Sequence, residues 1–548
     1  MVLRIRTICT ALVALVVPLF PGHASPPDSS VCPAVEVAVP GSVIQAIEGI
    51  DVGPDGMIYG TSIHGQAVYR INPETGLVTF AVPSPYGESD DVAIGAAGSP
   101  VEGWLAWTAY SSGEIRIQRP GGMPEVVATG LPRVNPIAFR DDGRLLFAQS
   151  SRSGDNGLWE LDLANGTPRR LVAKNKWRLN GFDFGPDGKL YAPSFRQNEL
   201  LAIDIETGES EVVADDVGLI AALKVDADGN LWSVDFATGN LYFTQTETGQ
   251  SRVVTQFTPP LDNLAIDQNG IIYVAELAVG GITGFDPKTG EKWRVAVSSF
   301  TVPLGMTTTI RDGKEAILVA DPFGYRFLDP DTHEITREAE MWFKGRSSAI
   351  AANGKHIVTT DVDSRIVAII DRRSNEVLFE TDQLQAPRGV VLTSTGDAIV
   401  ADAQTGQLIR LSNGSWEEVA EGLDEPVALA LENDNSVLVS EVGSGTISRI
   451  DLSSGSRTEL VSGLHDPLGI ALLADGRIAI VEAGKGGVTA INLTDGVRTI
   501  LARGLRIARP DHRIASNAPV GIAVDHEGAI FVSSGGDNSV IKIVLTDC

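Results

Sequence analysis

One residue in each of the first six of twelve sequence repeats could carry the chemistry of this chain. A short turn, Asp-Gly in many copies, recurs with its key residue at Gly56, Gly98, Gly143, Gly188, Gly229, Gly270, Gly313, Gly354, Gly396, Asn435, Gly476 and Gly528. Reading eight residues back from the turn reaches Glu48, Asp90, Asn135, Asn180, Ala221 and Asp262 in the first six copies. In the last six it reaches Leu304, Ser347, Arg388, Val427, Leu468 and Val520, with one-residue slack. The second set is ordinary structural filling. The first is almost wholly carboxylate and amide, and such groups are costly in a desolvated place unless something satisfies them. A hard cation does so, because Ca²⁺ takes six to eight oxygens from Asp, Glu, Asn and water. Glu48 and Asp262 supply negative charge to that expected site, and Asn135 and Asn180 supply amide oxygens. A water-filled polar channel is the alternative. Histidine and cysteine clusters of the kind that bind zinc are lacking.

The elements that must position these residues are short strands. Each repeat reads as four apolar strands, the first two joined by the turn, over 39 to 45 residues; the last interval is 52 because it includes an insertion at 506–519. Asp-Gly between alternating apolar runs is a strong hairpin signal, expected here as a type I′ turn. Four short strands every forty or so residues describe one propeller blade, and blades must stack to bury their faces. The expected fold is therefore all-β, a tandem of two six-bladed β-propellers made of twelve four-stranded blades. The first propeller occupies 44–298 and the second 299–548. A single ring of twelve is the alternative. The twelfth copy has only three strands before the chain ends, and AVEVAV at 34–39, within an N-terminal segment at 25–43, has no other place. It is expected to pair with 540–545 and close the last blade, which removes an open edge.

The chain has 548 residues, with 70 acids and 43 bases and a formal charge of -27. That balance excludes nucleic acid and anionic membrane surfaces as partners, since both need a basic face. Residues 1–24 combine Arg4 and Arg6, an apolar run from Ile8 to Phe20 and the small residue Ala24, and read as a cleavable secretory signal peptide. The expected location is secreted or periplasmic, with no membrane anchor after cleavage. Cys9 leaves with that segment, and Cys32 and Cys548 remain as one expected disulfide in an oxidising compartment.

Residues 44–298 resemble the senescence-marker-protein/gluconolactonase/luciferin-regenerating-enzyme-like family, whose members are six-bladed propellers with a catalytic divalent cation on the axis. Glu48 in IEGIDVGPDG matches the family's metal glutamate, and Asn135 in VNPIAF and Asn180 in LNGFDFGPDG match its two metal asparagines. The family's aspartate in the fifth blade is replaced by Ala221 in LIAALKVD. An aspartate appears one blade later, in LDNLAIDQNG, where Asp262-Asn263 resembles the Asp-Asn of the paraoxonase relatives. The second half resembles generic NHL-like repeat propellers and carries no site motif.

The resemblance implies a metal-dependent hydrolase that opens a lactone or related ester, with one divalent cation, Ca²⁺ by ligand type, polarising the carbonyl. Asp90, on the axis without a metal role, is the expected general base, with His64 second. Loops between second and third strands open on the axial face and bring Tyr110, Arg152, Arg196 and Glu276. These, with Asn263, are the expected substrate contacts. The expected partner is a small molecule, and the second propeller could also present a surface to a protein. Two other readings stay open. One is a non-catalytic binding or scaffold protein with a structural metal. The other is a lyase or synthase of the strictosidine-synthase kind, since propellers host many functions.

Overall fold

The computed structural model of the chain describes residues 31–149, 156–171, 178–195, 197–338, 347–362, 364–412, 414–507 and 520–547. The expected signal peptide, Arg152, Arg196 and Cys548 lie outside the described residues.

The described residues form strands and two short 3-10 turns, Leu277–Val279 and Ala483–Lys485. They build twelve four-stranded antiparallel sheets, the unit from which propeller blades are made. We number these sheets one to twelve along the chain. Eleven are simple meanders, such as sheet one with Ile50–Val52, Ile58–Ser62, Ala67–Ile71 and Val78–Val82. The twelfth takes Ile522–Val524, Ile530–Ser534 and Ser539–Asp547 from the end of the chain and Val31–Val39 from its beginning. The added strand runs in register, with Val35 opposite Ile543 and Val37 opposite Ile541, and Cys32 faces Thr546.

Sheet seven has the expected type I′ turn, with Asp312 at φ 49°, Gly313 at φ 79° and Arg311 paired with Lys314, whereas sheet one differs. In sheet one the Gly53 N–H donates to the Met57 carbonyl at 2.9 Å, and the Gly56 N–H to the Gly53 carbonyl at 2.9 Å. The loop is thus three residues long, a type I turn followed by a single left-handed residue, Gly56 at φ 73°. Pro54 suits this turn, since its ring holds φ at about -65°, but sheet three makes the same turn without a proline, the Arg140 N–H donating to the Arg144 carbonyl and the Gly143 N–H to the Arg140 carbonyl, both at 2.8 Å. Gly354 and Asn435 are the two turn positions without positive φ.

The hydrophobic cores lie between sheets. In the first half, Ile50–Val52 packs against both Val92–Ile94 of sheet two and Leu261–Ile266 of sheet six. Ile50, Ile58 and Tyr69 of sheet one share a core with Ala265, Tyr273 and Ile282 of sheet six. Sheets three and four meet through Leu146 and Ala148 against Leu179 and Phe182. The second half repeats the arrangement, and Met306, Ile317 and Val319 of sheet seven share a core with Ala523, Phe531 and Val540 of sheet twelve. The first strands of sheets one, two, five and six, and of all six sheets of the second half, thus pack against other first strands on both sides.

Candidate axial site

One backbone register positions the axial residues. The N–H groups of Glu48, Asp90 and Asn180 donate to the second-strand carbonyls of Thr61, Thr108 and Pro193, at 3.0, 3.0 and 3.4 Å. Threonine hydroxyls then tie sheet one to two and sheet two to three. Thr61 Oγ1 accepts from the Gly49 N–H at 2.8 Å and donates to the Asp90 carbonyl at 2.7 Å. Thr108 Oγ1 accepts from the Asp91 N–H at 3.1 Å and donates to the Asn135 carbonyl at 2.8 Å. Between sheets four and five the backbones approach so closely that a Cβ on Gly181 would lie 2.5 Å from that of Ala222, so only glycine fits beside Asn180. Glu48, Asp90, Asn135, Asn180, Ala221 and Asp262 thus occupy equivalent places on six consecutive sheets.

Glu48 is buried, 3% exposed, and its Oε2 accepts from the Ile63 N–H at 3.1 Å. Asp90 is buried as well, whereas Asn135, Asn180 and Asp262 are half-buried. Ala221 presents a buried methyl group. Among the described residues no group of three or more His, Cys, Asp and Glu side chains converges as a metal cluster. A cation here would therefore draw on the amide oxygens of Asn135 and Asn180 as well as on carboxylates. That all-oxygen donor set fits a hard ion such as Ca²⁺.

A second set of charges lies just below this layer. Asp91 is buried; its Oδ1 accepts from Asn263 Nδ2 at 2.9 Å and its Oδ2 from the Ile137 N–H at 3.1 Å. Asn263 is thus turned toward Asp91, and its Oδ1 accepts from the Leu264 N–H at 2.8 Å. Burial pushes the Asp91 carboxyl up to about 7; Lys224 pulls it back, and Asp262 pushes it the same way as burial. Burial alone would lower the Lys224 ammonium, but Asp51, Asp183 and Asp91 together hold it above its ordinary value.

The expected loop residues take diverse positions. The half-buried His64 ring meets Phe323 of the second half edge-on, 6.1 Å between centroids. It lines a cavity of about 700 Å³ between the halves, together with Tyr69, Leu304, Arg506 and Val520. The Tyr110 hydroxyl accepts from Arg133 Nη1 at 3.5 Å. Glu276 is buried, accepts from the Thr258 N–H at 2.9 Å, and pairs with Arg294 and Thr283. Asp402, Glu441 and Glu482 do the same in other sheets, accepting from the N–H groups of Gln385, Asp424 and His465 at 2.7, 2.8 and 3.1 Å. Glu276 is thus part of a repeated framework that closes the end of the sheet.

Asp51, Asp91, Asp183 and Lys224 were missed by reading only one position per repeat. The same alignment read five residues back from the turn gives Asp51, Asp183 and Lys224 directly.

Residues 55–310 match the family model of the SMP-30/Gluconolactonase/LRE-like region, a stretch that begins after Glu48. Among curated proteins, an uncharacterized WD repeat-containing protein, sll1491, of Synechocystis sp. is 26% identical over 145 residues, covering 26% of this chain and 40% of that protein. A gluconolactonase of Zymomonas mobilis subsp. mobilis is 25% identical over 186 residues, covering 30% of this chain and 49% of that protein. The chain spans half or less of the length of these relatives. Among solved structures, regucalcin, a calcium-binding protein from Agrobacterium tumefaciens, aligns with a TM-score of 0.36 at 18% identity over 44% of this chain and 85% of its own. A gluconolactonase from Xanthomonas campestris aligns with a TM-score of 0.36 at 16% identity over 46% of this chain and 96% of its own.

Proposed function

We propose that the first half is a gluconolactonase-like hydrolase, acting on a lactone or related ester at the axial layer of a six-bladed propeller, with the second half a second six-bladed propeller. The observation that carries the reading is the family match over 55–310, coinciding with a layer of carboxylates and amides on five of six consecutive sheets. Glu48, Asn135, Asn180 and Asp262 would hold a divalent cation, Ca²⁺ by donor type. When bound, that ion supplies Lewis acidity toward a carbonyl oxygen.

The chain's own residues do the rest. Asp90, fixed through its backbone by Thr61 and Thr108, accepts the proton of the attacking water. Glu48 is oriented by the Ile63 N–H. Tyr110 meets the substrate at the mouth; Arg152 and Arg196, the other expected contacts, lie outside the described residues. Asn263 and Glu276 act as supports, because both side chains are engaged with the protein. His64 faces the second half, which leaves Asp90 as the base.

The export reading rests on Arg4, Arg6 and the apolar run that follows, and places the protein in a secreted or periplasmic compartment with a Cys32–Cys548 disulfide. The second half would offer a surface to a protein partner. One observation favours a second reading, a non-catalytic binding module: the buried methyl of Ala221 stands at the axial place in sheet five. A lactone and ester hydrolysis screen, run with the Asp90→Asn variant, tests the choice. Turnover abolished by that change supports the hydrolase, and no turnover by the parent protein on any substrate supports the binding module.

A further inference from the structure

The lower layer of the first half is built around one ammonium group. Five residues before each turn stand Asp51, Ala93, Ala138, Asp183, Lys224 and Ala265. At the same place in the last six repeats stand Thr308, Ala349, Val391, Ala430, Ala471 and Ala523, none of them charged. The small methyl groups of three of the first six leave the centre to a long side chain. Lys224 Nζ lies 3.5 Å from Asp51 Oδ1, and the Lys224 side chain is only 17% exposed. Asp183 and Asp91 are its other electrostatic partners.

Each of these carboxylates also reaches the next sheet. Asp51 Oδ2 accepts from the Ile94 N–H at 3.0 Å, Asp91 Oδ2 from the Ile137 N–H at 3.1 Å, and Asp183 Oδ2 from the Val225 N–H at 3.0 Å. One ammonium therefore stands among three aspartates that tie sheet one to two, two to three and four to five. Asp91 then crosses to sheet six through Asn263. The chain neighbours of Asp91 and Asn263 are Asp90 and Asp262, the upper-layer carboxylates. The carboxylates keep Lys224 protonated, so it is no amine nucleophile.

We propose that Lys224 is the positioning residue of the axial site: its ammonium holds Asp51, Asp91 and Asp183 in place, and Asp91 through Asn263 sets the relative positions of Asp90 and Asp262. The inference rests on the reading of the upper layer as an oxygen-donor metal site. Removing the ammonium takes away the group toward which the three aspartates are drawn and lets Asp91 shift off Asn263.

The test uses the full chain and its K224M, K224R, N263A and K224M/N263A variants, with calcium titration by calorimetry at 25 °C and thermal unfolding in EDTA. K224M should weaken calcium binding on the order of tenfold or more, as supporting-shell changes do, and K224R should restore it to within about threefold. A folded K224M that binds calcium as tightly as the parent protein overturns the proposal. If K224M does not fold, K224M/D183N takes its place, since it removes an anion with the cation and leaves Asp91 untouched. If the parent protein binds no calcium, the proposed function fails, and the melting cycle alone decides the Lys224 inference. A combined K224M/N263A shift smaller than the sum of the single shifts supports the relay, and a simple sum overturns it.

Discussion

Asn263 donates its side-chain amide to Asp91 Oδ1 at 2.9 Å across 172 residues of sequence, joining sheet six to sheet two through the centre of the first half. Both residues follow an upper-layer carboxylate, Asp262 and Asp90. Successive residues on a strand point to different places, so Asp91 and Asn263 form the brace while their neighbours Asp90 and Asp262 belong to the proposed site.

Asp90→Asn should lower turnover of any lactone or ester substrate by about 100-fold or more, the usual loss for a general base, while calcium binding is retained. Steady-state kinetics alongside calorimetry checks this. Loss of calcium binding in the variant would make Asp90 a ligand instead.

The buried Asp91 predicts a pH dependence. An unfolded chain ionises this carboxyl near 3.8, whereas the folded protein keeps its proton up to about 7. Between those values the folded state binds more protons than the unfolded, so this group's contribution to stability falls as pH rises from about 4 to about 7 and is flat above. Asp91→Asn has no such titration. In EDTA, the melting temperature of the parent protein relative to D91N should decline across that window. A constant difference would show that Asp91 ionises freely.

Thr61→Val should destabilise by about 1–3 kcal/mol, because the hydroxyl both accepts from the buried Gly49 N–H and donates to the Asp90 carbonyl. Valine keeps the shape and strand preference, so denaturant unfolding reads the lost hydrogen bonds. The same change at Thr108 should act alike on Asp91 and Asn135.

Deleting residues 31–40 should leave sheet twelve with three strands and expose the edge of Ser539–Asp547, which now pairs along its length with Val31–Val39. Exposed edges pair with other chains. Light scattering should show concentration-dependent association, and a monomer as stable as the parent protein would count against the closing role.

The repeat carried most of the fold openly. Four strands per forty residues, and an orphan strand at one end opposite a three-stranded sheet at the other, were readable because period-two apolar runs and turn residues have local causes. The turn type is not set by Asp-Gly alone: Asp312-Gly313 joins its strands as a two-residue loop, whereas Gly56 and Gly143 end three-residue loops. The upper axial layer was visible as a break from the apolar filling of the second half. The lower layer was not sought, and its meaning depends on contacts between sheets that no single repeat contains: Lys224 is an ordinary strand lysine until Asp51 and Asp183 are brought around it. The orientation of His64 toward Phe323 and the engagement of Glu276 by Arg294 are likewise tertiary, set by packing that composition does not encode.

The central claim is that the upper layer holds one divalent cation. Its most direct test is the metal content and calcium-dependent melting of the purified protein, with Glu48→Gln/Asp262→Asn as control. The account predicts one ion per chain and a stabilisation of about 3 kcal/mol at a hundredfold excess of calcium over Kd, both lost in the double variant. No bound ion at saturating calcium, and identical melting of the two proteins, would contradict it.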